Sequence, residues 1–253
     1  MKIKTFNNRI KYFLKTIFEN DYLTFEDMIL LVNNNFMAYL YLDFVKEKGL
    51  IETFKTQAKP EVAHCLNEWG YKILKLDGLI RHRDIFKPSQ YKLIEFLTHE
   101  EKARIGIILQ KHPDVVDYMT KKVIKYQKPE LTKYDFDGLV ITKDNKQIAV
   151  KVQIETIEIE TYQKKFFDLA NCFDVNLIMW FITDENLKDR LITLLKSLST
   201  QISTSKHVLC VIDDFLTNWF YAKFYDVNGK INLFVPIDQK ELKKINRQKQ
   251  KRF

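Results

Sequence analysis

Two short hydrophobic segments carry the residues of this sequence whose types and spacing could do chemistry. Residues 133–155 read KYDFDGLVITKDNKQIAVKVQIE, with Asp137 at the start of one predicted strand and Lys151 inside the next. Hydrolysis of a phosphodiester with Mg²⁺ needs carboxylates around the metal ion and a nearby cation for the phosphate or the attacking water. The candidate catalytic residues are Asp137, Lys151, Gln153 and Glu155, and the candidate metal ligands are Asp137 and Glu155.

The second strand offers its polar residues in two possible registers, and each lacks one group. Alternate residues of a strand point to the same face, so Ala149, Lys151 and Gln153 share one. In one register Lys151 is the catalytic lysine and Ala149 stands where an acid is needed. In the other register Lys151 replaces the acid and Gln153 replaces the lysine. Because a lysine at the acid's position repels a metal ion and attracts phosphate, the pattern favours a site that binds nucleic acid without cutting it.

A carboxylate from elsewhere in the chain is the alternative that keeps the site active. Glu155 shares the same face if the strand continues, and Glu158 or Glu160 could reach in from the following helix. A rescued site of this kind would be an Mg²⁺-dependent endonuclease.

The composition favours a folded protein that binds a polyanion. Apolar residues make up 46% of the 253 residues, and the formal net charge is +8. Such a charge favours nucleic acid as a partner. Cys65, Cys172 and Cys210 are isolated, which argues against a zinc site and for a reducing, cytoplasmic compartment. No phosphate-binding glycine loop, nucleotide fingerprint or Ser-His-Asp order is present, so nucleotide hydrolysis and acyl transfer are not expected.

Three helices and a hairpin are predicted within residues 1–80. Apolar residues recur at helical spacing from Phe6 to Glu19, and Thr24 with Asp27 resembles a capping box at the start of a second helix. A third helix ends at Gly49, and LIETFKT and VAHCL then read as two strands. This order is that of a winged helix-turn-helix, whose third helix enters the major groove of DNA.

The third helix is an unusual DNA-reading helix because it carries aromatic residues and no Arg. Base-reading side chains are normally Arg, Lys, Asn or Gln. The candidate DNA contacts of this region are Asn33, Asn34, Asn35 and, in the hairpin, Lys55. The alternative is a winged helix that makes a dimer or another protein contact.

Residues 81–128 are predicted to be a mostly helical connector that packs on the core. His99 is expected to pack or to make a hydrogen bond rather than to bind a ligand. A run of lysines beside the proposed cleft and a basic tail over residues 239–253 are predicted to contact the DNA backbone. The residues chosen there are Lys121, Lys122, Lys125, Lys128, Lys244 and Arg247.

The C-terminal half reads as an α/β domain over residues 129–238. After the two motif strands, TIEIETYQKKFFDLANCF is an amphipathic helix and VNLIMWFIT is a buried strand. A helix over NLKDRLITLLKSLST and a strand over HVLCVIDDFL follow. Alternating strands and helices imply a mixed sheet with helices packed on it, so the fold class is α/β, or α+β over the whole chain.

Several motifs resemble known families. The stretches LDFVKEKGLIETF and HCLNEWGYKIL are similar to the end of winged-helix regulators. FDG at residues 136–138 with AVKVQIE resembles the PD-(D/E)xK nucleases. The order of elements over residues 6–215, including the helix around His99, resembles the replication-relaxation proteins of plasmids and the mobilisation relaxases with a restriction-endonuclease-like core. This resemblance implies a winged helix followed by a nuclease-like domain, and a role in plasmid mobilisation, conjugation or replication.

Three functions follow from these observations. The first is a DNA-binding factor of plasmid or mobile-element transfer or replication, built on a degenerate nuclease-like core. The second is an active Mg²⁺-dependent endonuclease or relaxase, and the third is a winged-helix transcriptional regulator. The expected partners are DNA and either a second copy of the chain or other transfer and replication proteins, with no membrane.

Overall fold

The protein is a mixed α/β chain that divides into two compact units. The structure is a computed structural model, and it describes residues 7–56, 62–80, 86–88, 93–155, 157–231 and 233. Described residues up to Ile107 belong to the first unit, and those from Ile108 to 233 belong to the second. The first unit holds a three-stranded sheet and the second a seven-stranded mixed sheet.

The first unit places helices around a small antiparallel sheet of strand order β1-β3-β2. Its helices are α1 (Asn8–Glu19), α2 (Phe25–Val32), α3 (Asn35–Glu47) and α4 (Glu68–Leu76). Its strands are β1 (Tyr22–Thr24), β2 (Ile51–Lys55) and β3 (Val62–Leu66). The predicted helices and the two strands of the hairpin are present. Strand β1 was missed because a strand of three residues is too short to show an alternating pattern.

Local sequence signals fix the ends of these helices. The hydroxyl of Thr24 accepts the backbone N–H of Asp27, and the Asp27 carboxylate accepts the backbone N–H of Thr24 at 2.9 Å. This confirms the predicted capping box. The chain leaves α3 at Gly49, whose φ of 61° favours glycine at this position.

Gly70 in α4 lies against the backbone of the chain entering β2. A Cβ atom added at Gly70 would stand 2.3 Å from the carbonyl oxygen of Leu50 and 2.8 Å from Cδ2 of Leu66. An alanine inside an exposed helix normally stabilises it by about 0.5–1 kcal/mol relative to glycine. Here the clash with a backbone atom reverses that sign.

We therefore expect Gly70→Ala to lower the free energy of unfolding by about 1–3 kcal/mol, as overpacked interiors do. Urea denaturation followed by circular dichroism measures the change. An unfolding free energy equal to or above that of the unsubstituted protein would show that α4 and the Leu50 carbonyl can separate without cost.

Helix α5 (Leu93–Lys111) lies in the stretch predicted to be mostly helical. Within the first unit, the imidazole of His99 hydrogen-bonds the carbonyl of Asn20 and stacks on the ring of Tyr22, with ring centroids 4.3 Å apart. His99 therefore has the packing and hydrogen-bonding role predicted for it.

The second unit is built on a sheet of strand order β10-β9-β8-β7-β6-β5-β4. Its strands are β4 (Val115–Thr120), β5 (Gly138–Thr142), β6 (Gln147–Gln153), β7 (Leu177–Ile182), β8 (His207–Val211), β9 (Phe224–Asp226) and β10 (Gly229–Ile231). Its helices after α5 are α6 (Lys121–Gln127), α7 (Ile159–Ala170), α8 (Glu185–Ser197) and α9 (Ile212–Asn218). Strands β4, β5 and β6 pair antiparallel, whereas β6, β7 and β8 pair parallel and are connected through α7 and α8.

Two details of the second unit correct the predictions. Residues 81–128 were predicted to be mostly helical, but they contain strand β4. The strand was missed because a register shift between Val115 and Asp117 breaks the alternation that identifies a strand. The strand predicted over HVLCVIDDFL ends at Val211, and the rest of that stretch begins α9.

The helices α7 and α8 cover one face of this sheet and close its core. Phe166 of α7 packs edge-on against Trp180 of β7, with ring centroids 4.8 Å apart. Ala149 of β6 is fully buried in the same apolar cluster, with Leu191 of α8. The face that carries Ala149 and Lys151 is thus apolar at one end of β6 and charged at the other.

Among the described helices, none by itself is long and apolar enough to cross a membrane. Helices α2 and α3 are long and apolar enough only when taken together, and a bend of 118° separates them.

Candidate functional site

The backbone holds Asp137 at the point where the chain enters β5. Its N–H donates to the carbonyl of Val150 at 2.8 Å, and its own carbonyl accepts the N–H of Lys121 at 3.0 Å. The carboxylate accepts the N–H of Val152 at 2.9 Å. Gly138 pairs with Val150, so the same register brings Asp137 beside Lys151. Asp137 is 5% exposed, and it is fixed by contacts to β6 and to the first residue of α6.

The ammonium group of Lys151 lies between two carboxylates. Its Nζ is 2.6 Å from Oδ2 of Asp135 and 3.3 Å from Oδ2 of Asp137. The side chain of Lys151 is 7% exposed and that of Asp137 is 2% exposed, whereas that of Asp135 is half exposed. Burial of a charge is costly unless the charge is paired and hydrogen-bonded. Lys151 and Asp137 therefore stabilise each other inside the protein, with Asp135 on the solvent side.

Asp135 links this ion pair to the lysine-rich helix α6. Its other oxygen, Oδ1, accepts Nζ of Lys121 at 3.2 Å. Partial burial alone would raise the pKa of Asp135, but the hydrogen bond and charge of Lys151, followed by Lys121, lower that pKa to about 2. Asp135 is thus a carboxylate at neutral pH, and two cations share its charge.

These residues do not fit Mg²⁺ in their present arrangement. Mg²⁺ prefers oxygen ligands in octahedral geometry, and carboxylates are its usual protein ligands. Here the ammonium of Lys151 occupies the space between the two carboxylates that a divalent ion would need. Ala149, at the position where one register requires an acid, is fully buried in the core. Within the described part of the chain, no group of three or more His, Cys, Asp or Glu residues is placed to hold a metal ion.

The glutamates proposed to rescue the site lie on the surface. Strand β6 ends at Gln153, so Glu155 does not extend the charged face as predicted. The backbone carbonyl of Glu155 accepts hydrogen bonds from the Gln153 side chain at 2.7 Å and from the Tyr162 hydroxyl at 3.4 Å. Glu158 precedes α7 and Glu160 is in its first turn, and the side chains of both are exposed.

Gln153 positions a lysine instead of replacing one. Its side-chain oxygen accepts Nζ of Lys165 at 2.9 Å, while its amide nitrogen donates to the carbonyl of Glu155. Since both ends of the buried amide are used, Gln153 holds Lys165 of α7 near the ion pair. Lys165 was missed as a site residue because nothing in the local pattern of α7 relates it to β6.

Asp135 was also missed, although the sequence carried a signal for it. Asp135 and Asp137 are two residues apart, and alternate residues of an extended segment point to the same side. The Asp-x-Asp spacing could have indicated that both carboxylates approach the same cation.

The lysines proposed for DNA contact cover the outer face of α6. Val123 and Ile124 form the buried side of α6, so the lysines lie on its outer side. The lysines on or beside α6, none of them buried, are Lys121, Lys122, Lys125 and Lys128. Together with Lys133 they form a basic surface that borders Asp135. We call these five lysines the α6 basic surface.

Two of the candidate DNA contacts in the first unit have structural roles. Asn33 ends α2 with a φ of 57°, and the side chain of Asn34 caps α3 by accepting the N–H of Met37 at 2.9 Å. Asn35 is the exposed first residue of α3, and Lys55 is exposed at the end of β2. The remaining candidates, Lys244 and Arg247, lie outside the described residues.

Three large apolar or aromatic side chains are exposed near the start of α3. Phe36, Tyr39 and Leu40 are spaced to lie on one side of the helix, and they are 67%, 58% and 40% exposed. Asp43, Lys46 and Glu47 are exposed on the later turns. The part of the helix that carries Phe36, Tyr39 and Leu40 offers few groups that pair with base edges or phosphates.

The chain matches no protein-family model, no curated protein and no solved structure.

Proposed function

We propose that this chain is a DNA-binding protein whose second unit holds the phosphate backbone on the α6 basic surface, beside a nuclease-like centre that does not cut. The observation that carries the proposal is Lys151, whose ammonium lies 2.6 and 3.3 Å from the carboxylates of Asp135 and Asp137. In this proposal the lysine takes the place that a metal ion has in a hydrolytic site. The centre then lacks the Lewis acid for hydrolysis, and the attraction for phosphate comes from the lysines of the α6 basic surface.

The order of elements supports the proposed nuclease-like centre. Asp137 immediately precedes β5, Lys151 lies on β6, and α7 follows, as in the nuclease-like cores that the sequence resembles. In the first unit, three helices are followed by the β2–β3 hairpin, as in a winged helix. The resemblance to plasmid replication and mobilisation proteins is the basis for proposing a role in mobile-element transfer or replication.

We place the main DNA contact in the second unit. The basic residues of the α6 basic surface are not buried, whereas the exposed side of α3 presents Phe36, Tyr39 and Leu40. Such a side suits a protein contact, with a second copy of the chain or another transfer protein, better than base readout.

The α6 basic surface gives a quantitative prediction. Replacing Lys122 and Lys125 with Gln removes two potential phosphate contacts. We expect weaker DNA binding and a salt dependence whose slope, log Kd against log of the salt concentration, falls by up to about 2. Fluorescence anisotropy with labelled DNA between about 50 and 200 mM salt measures both quantities.

A matched pair of lysines on the same unit serves as control. Lys196 of α8 and Lys230 of β10 are exposed and lie outside the α6 basic surface. The Lys196→Gln, Lys230→Gln double variant has the same net charge as the test variant. Equal losses of slope in both variants would show that binding follows total charge and not this surface.

Plasmid nicking separates the proposal from the endonuclease alternative. We expect purified protein to bind plasmid DNA in Mg²⁺ or Mn²⁺ and to leave it supercoiled. Nicking that is abolished by Asp137→Ala would overturn the proposal, because it would require a divalent ion to displace Lys151 from the carboxylates.

A further inference from the structure

An open pocket lies next to the ion pair of Lys151. Its volume is about 440 Å³. Three parts of the second unit form it: the segment before β5, the end of β6 and the C-terminal half of α7. The lining residues are Lys133, Tyr134, Asp135, Lys151, Lys165, Asp168, Leu169 and Asn171.

The charges of the pocket favour an anion that also carries hydrogen-bond donors. Three lysines and two aspartates line it, so cations exceed anions by one. The Lys151 ammonium is engaged by Asp135 and Asp137. Lys133 is exposed at the edge of the pocket, and Lys165 is oriented by Gln153. These two lysines are placed to meet a phosphate, while Asp168 offers carboxylate oxygens to N–H or O–H groups.

Tyr134 adds a fixed aromatic surface. Its ring stacks on Phe136, with centroids 5.6 Å apart and 25° between the planes. Its hydroxyl donates to the carbonyl of Asn171 at 3.3 Å. Lys133 Nζ lies over the same ring, 5.0 Å from its centroid, so a base that stacks there displaces the exposed Lys133 side chain. An aromatic ring is a platform on which nucleic-acid bases stack.

The size of the pocket limits what can enter. Its volume lies at the lower end of the roughly 300–1,000 Å³ of small-ligand sites, which suits one nucleotide and excludes a base-paired duplex. We propose that this pocket takes a single unpaired nucleotide of a DNA strand, with the base on Tyr134 and the phosphate between Lys133 and Lys165. This inference rests on the proposed function and adds a preference for single-stranded DNA.

Binding of single-stranded and duplex DNA of the same sequence tests the inference. Anisotropy at one salt concentration gives the two Kd values. We expect the unsubstituted protein to bind the single strand more tightly, and Tyr134→Leu to weaken single-strand binding by roughly tenfold or more. Duplex binding should change less than about twofold, because it uses the α6 basic surface.

Two further variants make the result specific. Tyr134→Phe keeps the ring and should retain tight single-strand binding. Tyr221→Leu, at an aromatic residue that is 63% exposed and outside the pocket, should leave both Kd values unchanged. Circular dichroism of each variant confirms that it is folded.

Photo-crosslinking gives a test that needs no substitution. A single strand carrying 5-iodouracil crosslinks to aromatic side chains on which the modified base stacks. We expect the crosslinked peptide to contain Tyr134. Crosslinks only at other residues, or Tyr134→Leu with unchanged single-strand affinity, would overturn the pocket inference.

The outcomes for the pocket and for the proposed function are distinguishable. Loss of binding in the Lys122→Gln, Lys125→Gln variant with no effect of Tyr134→Leu would overturn the pocket inference and support DNA binding by α6. Absence of binding to either DNA in the unsubstituted protein would overturn both.

Discussion

We expect Lys151→Met to lower the free energy of unfolding by about 3–5 kcal/mol, the usual cost of removing one partner of a buried ion pair. The substitution keeps the length of the side chain but removes the ammonium. It leaves the Asp137 carboxylate, with 2% side-chain exposure, without the cation that lies 3.3 Å away. Asp135 is half exposed, so water compensates most of its loss. Urea denaturation at neutral pH measures the effect.

A lysine on the neighbouring hairpin turn provides the control for Lys151→Met. Lys146 pairs with Asp144 at 2.7 Å, but its side chain is 61% exposed. We expect Lys146→Met to change the free energy of unfolding by less than about 1 kcal/mol. A loss in Lys151→Met no larger than this control would contradict a buried ion pair at Lys151.

A double variant tests whether the cost comes from the unpaired carboxylate. Lys151→Met with Asp137→Asn removes both charges and keeps an oxygen that can accept the N–H of Val152. We expect the double variant to recover most of the stability lost by Lys151→Met, because a neutral pair avoids the buried charge. If the two losses simply add, the interaction between Lys151 and Asp137 is not the source of the cost.

We expect the stability of the second unit to fall in mild acid through His207. This side chain is fully buried in β8, and its Nδ1 accepts the N–H of Trp180 at 3.0 Å. Burial, followed by the charge of Lys206, lowers the pKa of His207 from 6.5 to about 3. The folded protein therefore holds a neutral imidazole at neutral pH, with Nδ1 as the acceptor.

The direction of the pH effect follows from proton binding. Between about pH 6.5 and 3 the unfolded chain binds one more proton at His207 than the folded protein does. The stability that comes from neutral His207 is fully present above about pH 6.5 and is lost as the pH falls toward 3. The loss between about pH 7 and 5 amounts to about 2 kcal/mol for this single group.

Comparison with His207→Gln isolates the contribution of this histidine. Glutamine can still accept the Trp180 N–H and does not titrate in this range. We expect the unfolding free energy of the unsubstituted protein to fall by about 2 kcal/mol more than that of the variant between about pH 7 and 5. The lowered pKa of His64, about 4, is common to both proteins and cancels. Parallel pH curves would mean that His207 is protonated in the folded state.

The sequence alone determined the elements whose signals are local. Thr24 and Asp27 are three residues apart, so the capping box needs no distant partner. Apolar periodicity likewise identified α1 and α7, and the continuous apolar run identified β7. The alternation of β6 correctly placed Lys151 and Gln153 on one face.

Elements that depend on irregular or short pairing were not predictable in the same way. Strand β4 has a bulge between Val115 and Asp117, and β1 has only three residues. Both strands pair with a neighbouring strand, and neither has an alternating sequence pattern that identifies it. The end of β6 at Gln153, which leaves Glu155 on the surface, is a property of the sheet and not of the residues around Glu155.

Only the tertiary structure decided what the polar residues of the site do. Lys151 meets Asp135 across 16 residues of chain, and Lys165 meets Gln153 across 12. The first contact depends on the register of β5 with β6, and the second depends on the position of α7 over the sheet. The residue pattern predicted an incomplete metal motif, and in the fold Lys151 forms an ion pair with Asp135 and Asp137. Strand alternation fixes the face on which a side chain lies, whereas the chain path fixes which charge it meets there.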